Sequence, residues 1–288
     1  MLSLLAATAG AEPIQWVDLG LKPGIDLGFF MLRYYSLAYL GGILLAYWHL
    51  SKMARAPGSP MAQRHVDDLF FYCTLGVILG GRLGYVAFYK PELFGTLDMF
   101  KLWEGGMSFH GGVIGVLIAL SWVAWRGGLS WLRVCDYIAV NVPFGMFFGR
   151  IANSINGELY GRPTDVPWAM VFPTDPAQLA RHPSQLYQAA LEGLLLMVIL
   201  IPLFWKTRAR WRPGLLVGLF TVGVAGARFV NEFFREPDSY LAYVVIETGL
   251  SRGQWLSLPM IAAGLGVMIY ALMRAPIGAA KARLPQAA

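Results

Sequence analysis

Four arginines, Arg33, Arg82, Arg150 and Arg228, lie inside stretches that otherwise read as membrane-spanning helices. A cation at the centre of such a helix costs roughly 2.5–3.5 kcal/mol on insertion scales. A chain that carries several needs internal counter-ions, a water-filled pathway or an anionic ligand held at membrane depth. Too few acidic residues lie near these arginines to serve all four. The sequence therefore predicts an anion supplied from outside the chain.

Composition supports a membrane setting. Apolar residues make up 57% and charged residues 14%, against about 25% charged in ordinary soluble domains. An aromatic content of 14% suits interfacial belts. The expected fold is an all-α polytopic membrane protein, one integral membrane domain over 1–288. Its seven spans are placed at 29–50, 68–89, 107–125, 134–153, 184–205, 214–234 and 254–274. Of the 23 Lys and Arg, four fall inside these spans, twelve in one set of loops, counting Arg274 at the very end of the last span, and seven in the other. The richer set is expected on the cytoplasmic side, which leaves the N-terminus outside and the C-terminus inside.

The longest outer connection, 157–183, holds Asn-Gly and X-Pro turn signals with enough Val, Trp and Phe to pack. It is expected to form a small ordered head with room for a short strand pair, acting as a movable gate. Met1–Ala11 reads as an interfacial segment and the Ala/Pro/basic tail 275–288 as disordered. The net charge of +6 reflects basic loops, so no nucleic-acid partner is expected. Cys73 and Cys135 match neither metal nor disulfide spacing and read as core residues.

Four segments concentrate polar groups near the outer ends of the spans. In ARFVNEFFREPD (227–238), Arg228, Asn231, Glu232 and Arg235 are spaced i, i+3, i+4, i+7 on one helix face. An internal Arg228–Glu232 ladder is the structural alternative there, and the two readings can hold together. In FFGRIANSINGELYGR (147–162), Arg150 and Asn153 sit a turn below a helix end set by Asn156-Gly157, and Glu158 and Gly161 follow. In GGMSFHGGVIG (105–115), His110 starts a helix between paired glycines that admit another helix or a ligand. In RHPSQLYQAALEG (181–193), Pro183 suits a helix start, and Gln185, Gln188 and Glu192 fall near one face. Arginine binds phosphate through paired, charge-assisted hydrogen bonds, so a phosphate-bearing lipid head group is the expected ligand. No metal or other cofactor is expected.

GRIANSINGELYG resembles the signature of the bacterial prolipoprotein diacylglyceryl transferases, G-R-x-[GA]-N-F-[LIVMF]-N-x-E-x-x-G. Gly149, Arg150, Ala152, Asn153, Ile155, Asn156, Glu158 and Gly161 match, while Ser154 replaces the usual Phe. GGRLGYVAFY (80–89), GGMSFHGG, RHPSQLYQAALEG, RFVNEFFREPD and GQWLSLPM (253–260) extend the resemblance over about 30–274. The resemblance implies a multi-pass protein of the bacterial inner membrane with a periplasmic head and active site. It implies transfer of the diacylglyceryl group of phosphatidylglycerol to the thiol of the lipobox cysteine in a prolipoprotein signal peptide, with glycerol phosphate released. It carries catalytic roles onto Tyr35, His110, Arg150 and Arg228. Lipid-binding roles fall on Arg150, Asn153, Glu158, Gly161, Arg228, Glu232 and Arg235. His110 stands open as either proton acceptor or orienting residue. The competing reading is a transporter or binding protein for an anionic lipid or solute; the one-sided clustering of polar groups and the lack of an internal repeat weigh against it.

Overall fold

The computed structural model describes residues 12–22, 24–28, 31–102, 105–236 and 248–277. The segment Met1–Ala11, most of the tail, and Pro237 and Asp238 of the arginine-rich motif lie outside the described residues. The fold is mostly helical. Eight helices are described: α1 (Tyr34–Ala54), α2 (Gln63–Tyr89), α3 (Phe109–Arg126), α4 (Trp131–Ala139), α5 (Val142–Ile155), α6 (Ser184–Lys206), α7 (Leu215–Asn231) and α8 (Arg252–Met273). The strands are short: β1 (Ile14–Gln15), β2 (Gly24–Asp26), β3 (Met31–Arg33), β4 (Met170–Val171) and β5 (Ala180–Arg181).

Four helices, α2, α3, α6 and α8, are long and apolar enough to cross a bilayer. α7 is apolar but has 17 residues. The span expected at 134–153 is divided into α4 and α5. Pro143 sits in the first turn of α5, where its missing N–H is harmless, whereas inside a continuous helix it would break the ladder. At 14 residues, α5 rises only ~21 Å, short of the ~30 Å hydrocarbon core. Arg33 falls in β3, before α1 begins, and is exposed. It is therefore not a cation inside a membrane helix.

The chain forms two compact units, one of Tyr47–Ile138 and one of Met1–Ala46 with Ala139–Ala288. In the first, α2 and α3 meet along glycines. A Cβ on Gly76 would lie 2.5 Å from the Gly115 carbonyl oxygen, and one on Gly84 would lie 2.7 Å from Gly111 Cα. This four-residue spacing of small residues lets two backbones touch, as in membrane helix pairs. The paired glycines beside His110 thus admit a helix. Leucine at Gly115 is expected to force α2 and α3 apart, costing at least the ~1–3 kcal/mol of ordinary overpacking. A lowered unfolding temperature in detergent checks it; unchanged stability would contradict the packing.

Arg82, on α2, is buried. Its guanidinium donates to the carbonyls of Met99 (2.9 Å), Asp98 (2.8 Å), Gly105 (2.5 Å) and Gly106 (3.4 Å). Backbone carbonyls of the loop before α3 therefore serve this cation, and it is not free for an external anion.

In the other unit, α7 and α8 approach closely at Gly218 and Gly264, where an added Cβ on either would lie 2.9 Å from the other's carbonyl oxygen. α1 packs on α5 through Gly42 and Gly145. Gly193 of α6 lies against Phe147 of α5, where a Cβ would come within 2.6 Å. The stretch Ala189–Leu195 of α6 is a π-helix, a local widening often found at functional sites.

The head does contain a strand pair. β4 runs antiparallel to β5, with Met170 opposite Arg181, and parallel to β1. Trp16, Met170 and Phe172 form a small core with Tyr160 stacked on Phe172. Trp16 Nε1 donates to the carbonyl of Ser154 at 2.9 Å, which ties this core to the end of α5.

The expectation of a movable gate meets a segment tied down at several points. Gly161 N donates to His182 O (2.8 Å) and Arg162 N to Phe234 O (2.8 Å). Arg181 binds Asp175 at 2.5 Å and Glu236 at 2.9 Å. Asp175 also caps the N–H groups of Ala177 and Leu179 at 3.1 Å each. The Arg181 guanidinium holds the Asp175 carboxyl below its ordinary range. A depressed carboxyl contributes stability that is complete above its unfolded value, about 3.9, and is lost as pH falls through the lower folded value. Protease resistance of the head should therefore hold at pH ~6 and fail in strong acid, and Asp175→Asn should lose it at pH ~6. A head equally resistant in that variant would contradict the tie.

Candidate active site

The residues singled out at 150–161 and 228–235 come together in one unit. The end of α5 is set by Gly157, whose φ of 67° suits glycine. The chain then turns back, and the Glu158 carboxylate accepts from Asn153 Nδ2 (2.8 Å) and Asn156 Nδ2 (3.3 Å). Tyr35, at the start of α1, interacts with Asn153 and Glu158, and its hydroxyl donates to Tyr39 at 3.3 Å. Tyr39 in turn lies over Gly149. Glu158 thus orients the asparagines and sits within the electrostatic reach of Tyr35.

Gly161 serves the backbone. It bridges to Arg235, and a Cβ there would run into the Phe234 carbonyl oxygen and His182. Its part in the site is close approach of chains.

Glu232 is a hub. Its Oε1 lies 2.7 Å from Arg228 and 3.5 Å from Arg235, and its Oε2 accepts from Ser251 Oγ at 2.8 Å. Ser251 is also the N-cap of α8, bonded reciprocally with Gln254 (3.1 and 2.9 Å). Gly253 gives the carboxylate room, since a Cβ there would sit 2.5 Å from Glu232 Cδ. The positive end of α8 adds to the attraction. The Arg228–Glu232 ladder of the structural alternative is therefore real, and it positions both arginines.

Sequence reasoning missed Glu192 as a site residue. On the π-helical part of α6, its Oε2 lies 3.6 Å from Arg150, and the carboxylate also interacts with Arg228 and Arg235. Its signal was an acid on a face with Gln185 and Gln188 inside an apolar span. The supposed shortage of acids is thereby corrected: Arg150 and Arg228 each have a carboxylate. Three guanidiniums still share two carboxylates. The side chains of Arg150, Arg228 and Arg235 are 26%, 31% and 27% exposed, while Glu192 and Glu232 are 2% and 8% exposed. The acids lie sealed beneath, and the open surface is cationic.

His110 stands in the other unit, in the first turn of α3. It is exposed, and Ser108 Oγ caps this helix by accepting from Gly111 N at 3.3 Å.

Helices long and apolar enough to cross a bilayer, with three partly exposed arginines over two buried carboxylates, mark the class of a membrane protein. Comparison with known proteins resolves the class. The model of the prolipoprotein diacylglyceryl transferase family matches residues 24–270, and the chain belongs to that family. It is 75% identical to a protein of Erythrobacter litoralis, covering 93% of this chain and 95% of that one. It is 49% identical to one of Zymomonas mobilis (91% and 94%) and 48% identical to one of Azospirillum brasilense (88% and 96%). All three relatives are named phosphatidylglycerol–prolipoprotein diacylglyceryl transferase.

Proposed function

We propose that this protein transfers the diacylglyceryl group of phosphatidylglycerol to the thiol of a lipobox cysteine in a prolipoprotein signal peptide. A thioether forms and glycerol phosphate leaves. Besides family membership, one observation carries the reading: three arginines open to a ligand above two sealed carboxylates.

The chemistry needs a thiolate and a stabilised leaving group. A free thiol has a pKa of about 8.5 and is a few per cent ionised at neutral pH. His110 accepts the thiol proton as sulfur attacks the glyceryl carbon. The C–O bond breaks and its electron pair passes to the phosphate oxygen. Arg150 and Arg228 hold that oxygen's growing charge, an effect strongest where water is excluded. Arg235, beyond the end of α7, adds charge through its contact with Glu232. Glu232, Glu158 and Asn153 fix the positions of these groups, Gly161 lets the chain pass close behind them, and Tyr35 borders the Asn153–Glu158 pair.

The same reading places the chain in the bacterial inner membrane, with seven crossings, the N-terminus and active site on the periplasmic side and the C-terminus in the cytoplasm. The excess of basic residues in the opposite loops supports that orientation. Purified protein given phosphatidylglycerol and a lipobox peptide should add one diacylglyceryl mass to the peptide cysteine. An unmodified peptide, with anion or lipid moved across vesicles instead, would favour the transporter reading.

A further inference from the structure

Two buried polar side chains beside the arginines have atoms without a hydrogen-bond partner. Asn231 is fully buried, and neither its Oδ1 nor its Nδ2 is paired; Glu192 is 2% exposed, and its Oε1 is unpaired. A buried polar group left unpaired is costly, so the polar atoms of a ligand held on the arginines would be drawn to both. Asn231 lies three residues beyond Arg228 on the same stripe of α7. Glu192 meets Arg150 through its other oxygen.

Both lie near the facing ends of two neighbouring helices. The short 207–214 connection makes α6 and α7 antiparallel neighbours, and Leu196 packs on Gly223, where a Cβ would lie 2.5 Å from Leu196 Cδ2. Glu192 precedes that contact on α6 and Asn231 follows it on α7, so both lie toward the same end of the pair, and the Glu192 carboxylate interacts with Arg228, three residues before Asn231. A phosphate on Arg150 and Arg228 would hold its head group beside them.

The unpaired atoms state what the head group must carry. An ionised carboxylate oxygen only accepts, whereas an amide both donates and accepts. A hydroxyl satisfies both kinds of atom. An ammonium could donate to Glu192, but it would stand among three guanidiniums and could not accept from Asn231. A phosphate with no head group would leave the unpaired atoms unmet. We propose that Glu192 and Asn231 form the hydroxyl-reading half of the lipid site, which selects a phosphodiester bearing a diol head group. This rests on the reading of the arginines as the phosphate site.

The test compares phosphatidylglycerol with phosphatidylpropanol, which has the same phosphodiester charge and a three-carbon head without hydroxyls. Binding to the protein in nanodiscs and transfer to a lipobox peptide are both measured. A site built to pair hydroxyls should favour phosphatidylglycerol by about 10²-fold or more. Asn231→Leu, similar in size and without polar atoms, should compress that preference about tenfold or more by weakening phosphatidylglycerol and leaving phosphatidylpropanol unchanged. Asn231→Ser is the second variant should the first fail to fold, with the same direction expected. Equal handling of the two lipids by the unaltered protein overturns the proposal. So does an undiminished preference in a folded variant, because that assigns Asn231 a structural role only. Selective binding without any transfer would instead sink the transferase reading and leave the hydroxyl site standing.

Discussion

Replacing Arg228 by Gln is expected to slow diacylglyceryl transfer about 10²–10³-fold, the usual effect of deleting one donor aimed at developing negative charge. The fold should survive. Arg228 is 31% exposed, and its buried partner Glu232 keeps Arg235 and Ser251. Arg228→Lys keeps the charge but lacks the planar fork, so its rate should fall between the two. The measurement is transfer to a lipobox peptide at saturating phosphatidylglycerol, with the unfolding temperature recorded beside it. Full activity in Arg228→Gln would remove this side chain from the reaction. A collapse of the unfolding temperature to match the lost rate would make it a structural residue.

His110→Gln is expected to lower the rate at neutral pH by about 10²–10⁴-fold, the range for a positioned general base. Glutamine keeps a donor and an acceptor but takes no proton. The variant should therefore recover part of its rate as the pH approaches the thiol's own value of about 8.5, where sulfur ionises unaided. Substantial activity with an unchanged pH profile would leave His110 an orienting role. Its exposure in the first turn of α3 suits contact with a substrate.

The pairing of Arg228 with Glu232 was legible from helical spacing, but α7 ends at Asn231, so Arg235 is not on that helix face and is placed instead by its backbone bridge to Gly161. The turn after α5 was equally legible from Asn156-Gly157. The partners of the arginines were not. Arg82 is served by four backbone carbonyls, which every residue carries and no sequence pattern marks. Glu192 reaches Arg150 from a π-helical turn, and a 3.6-residue wheel does not place a side chain across such a widening. Ser251 looked like an ordinary helix cap, yet its hydroxyl also holds Glu232. The division of 134–153 into two helices follows from Pro143, a local signal that hydropathy averages away. The ties on the head come from pairs distant in sequence, such as Arg162 with Phe234, which its Gly and Pro content does not reveal.

The proposed mechanism stands on the cationic surface of Arg150, Arg228 and Arg235 as the seat of the phosphate of phosphatidylglycerol. The most direct test is a high-resolution structure of the protein in a phosphatidylglycerol nanodisc. One lipid phosphate should lie within hydrogen-bonding distance of both Arg150 and Arg228, with Glu192 and Glu232 still beneath them. A phosphate bound elsewhere, or both guanidiniums closed onto their carboxylates while lipid occupies another site, would contradict it.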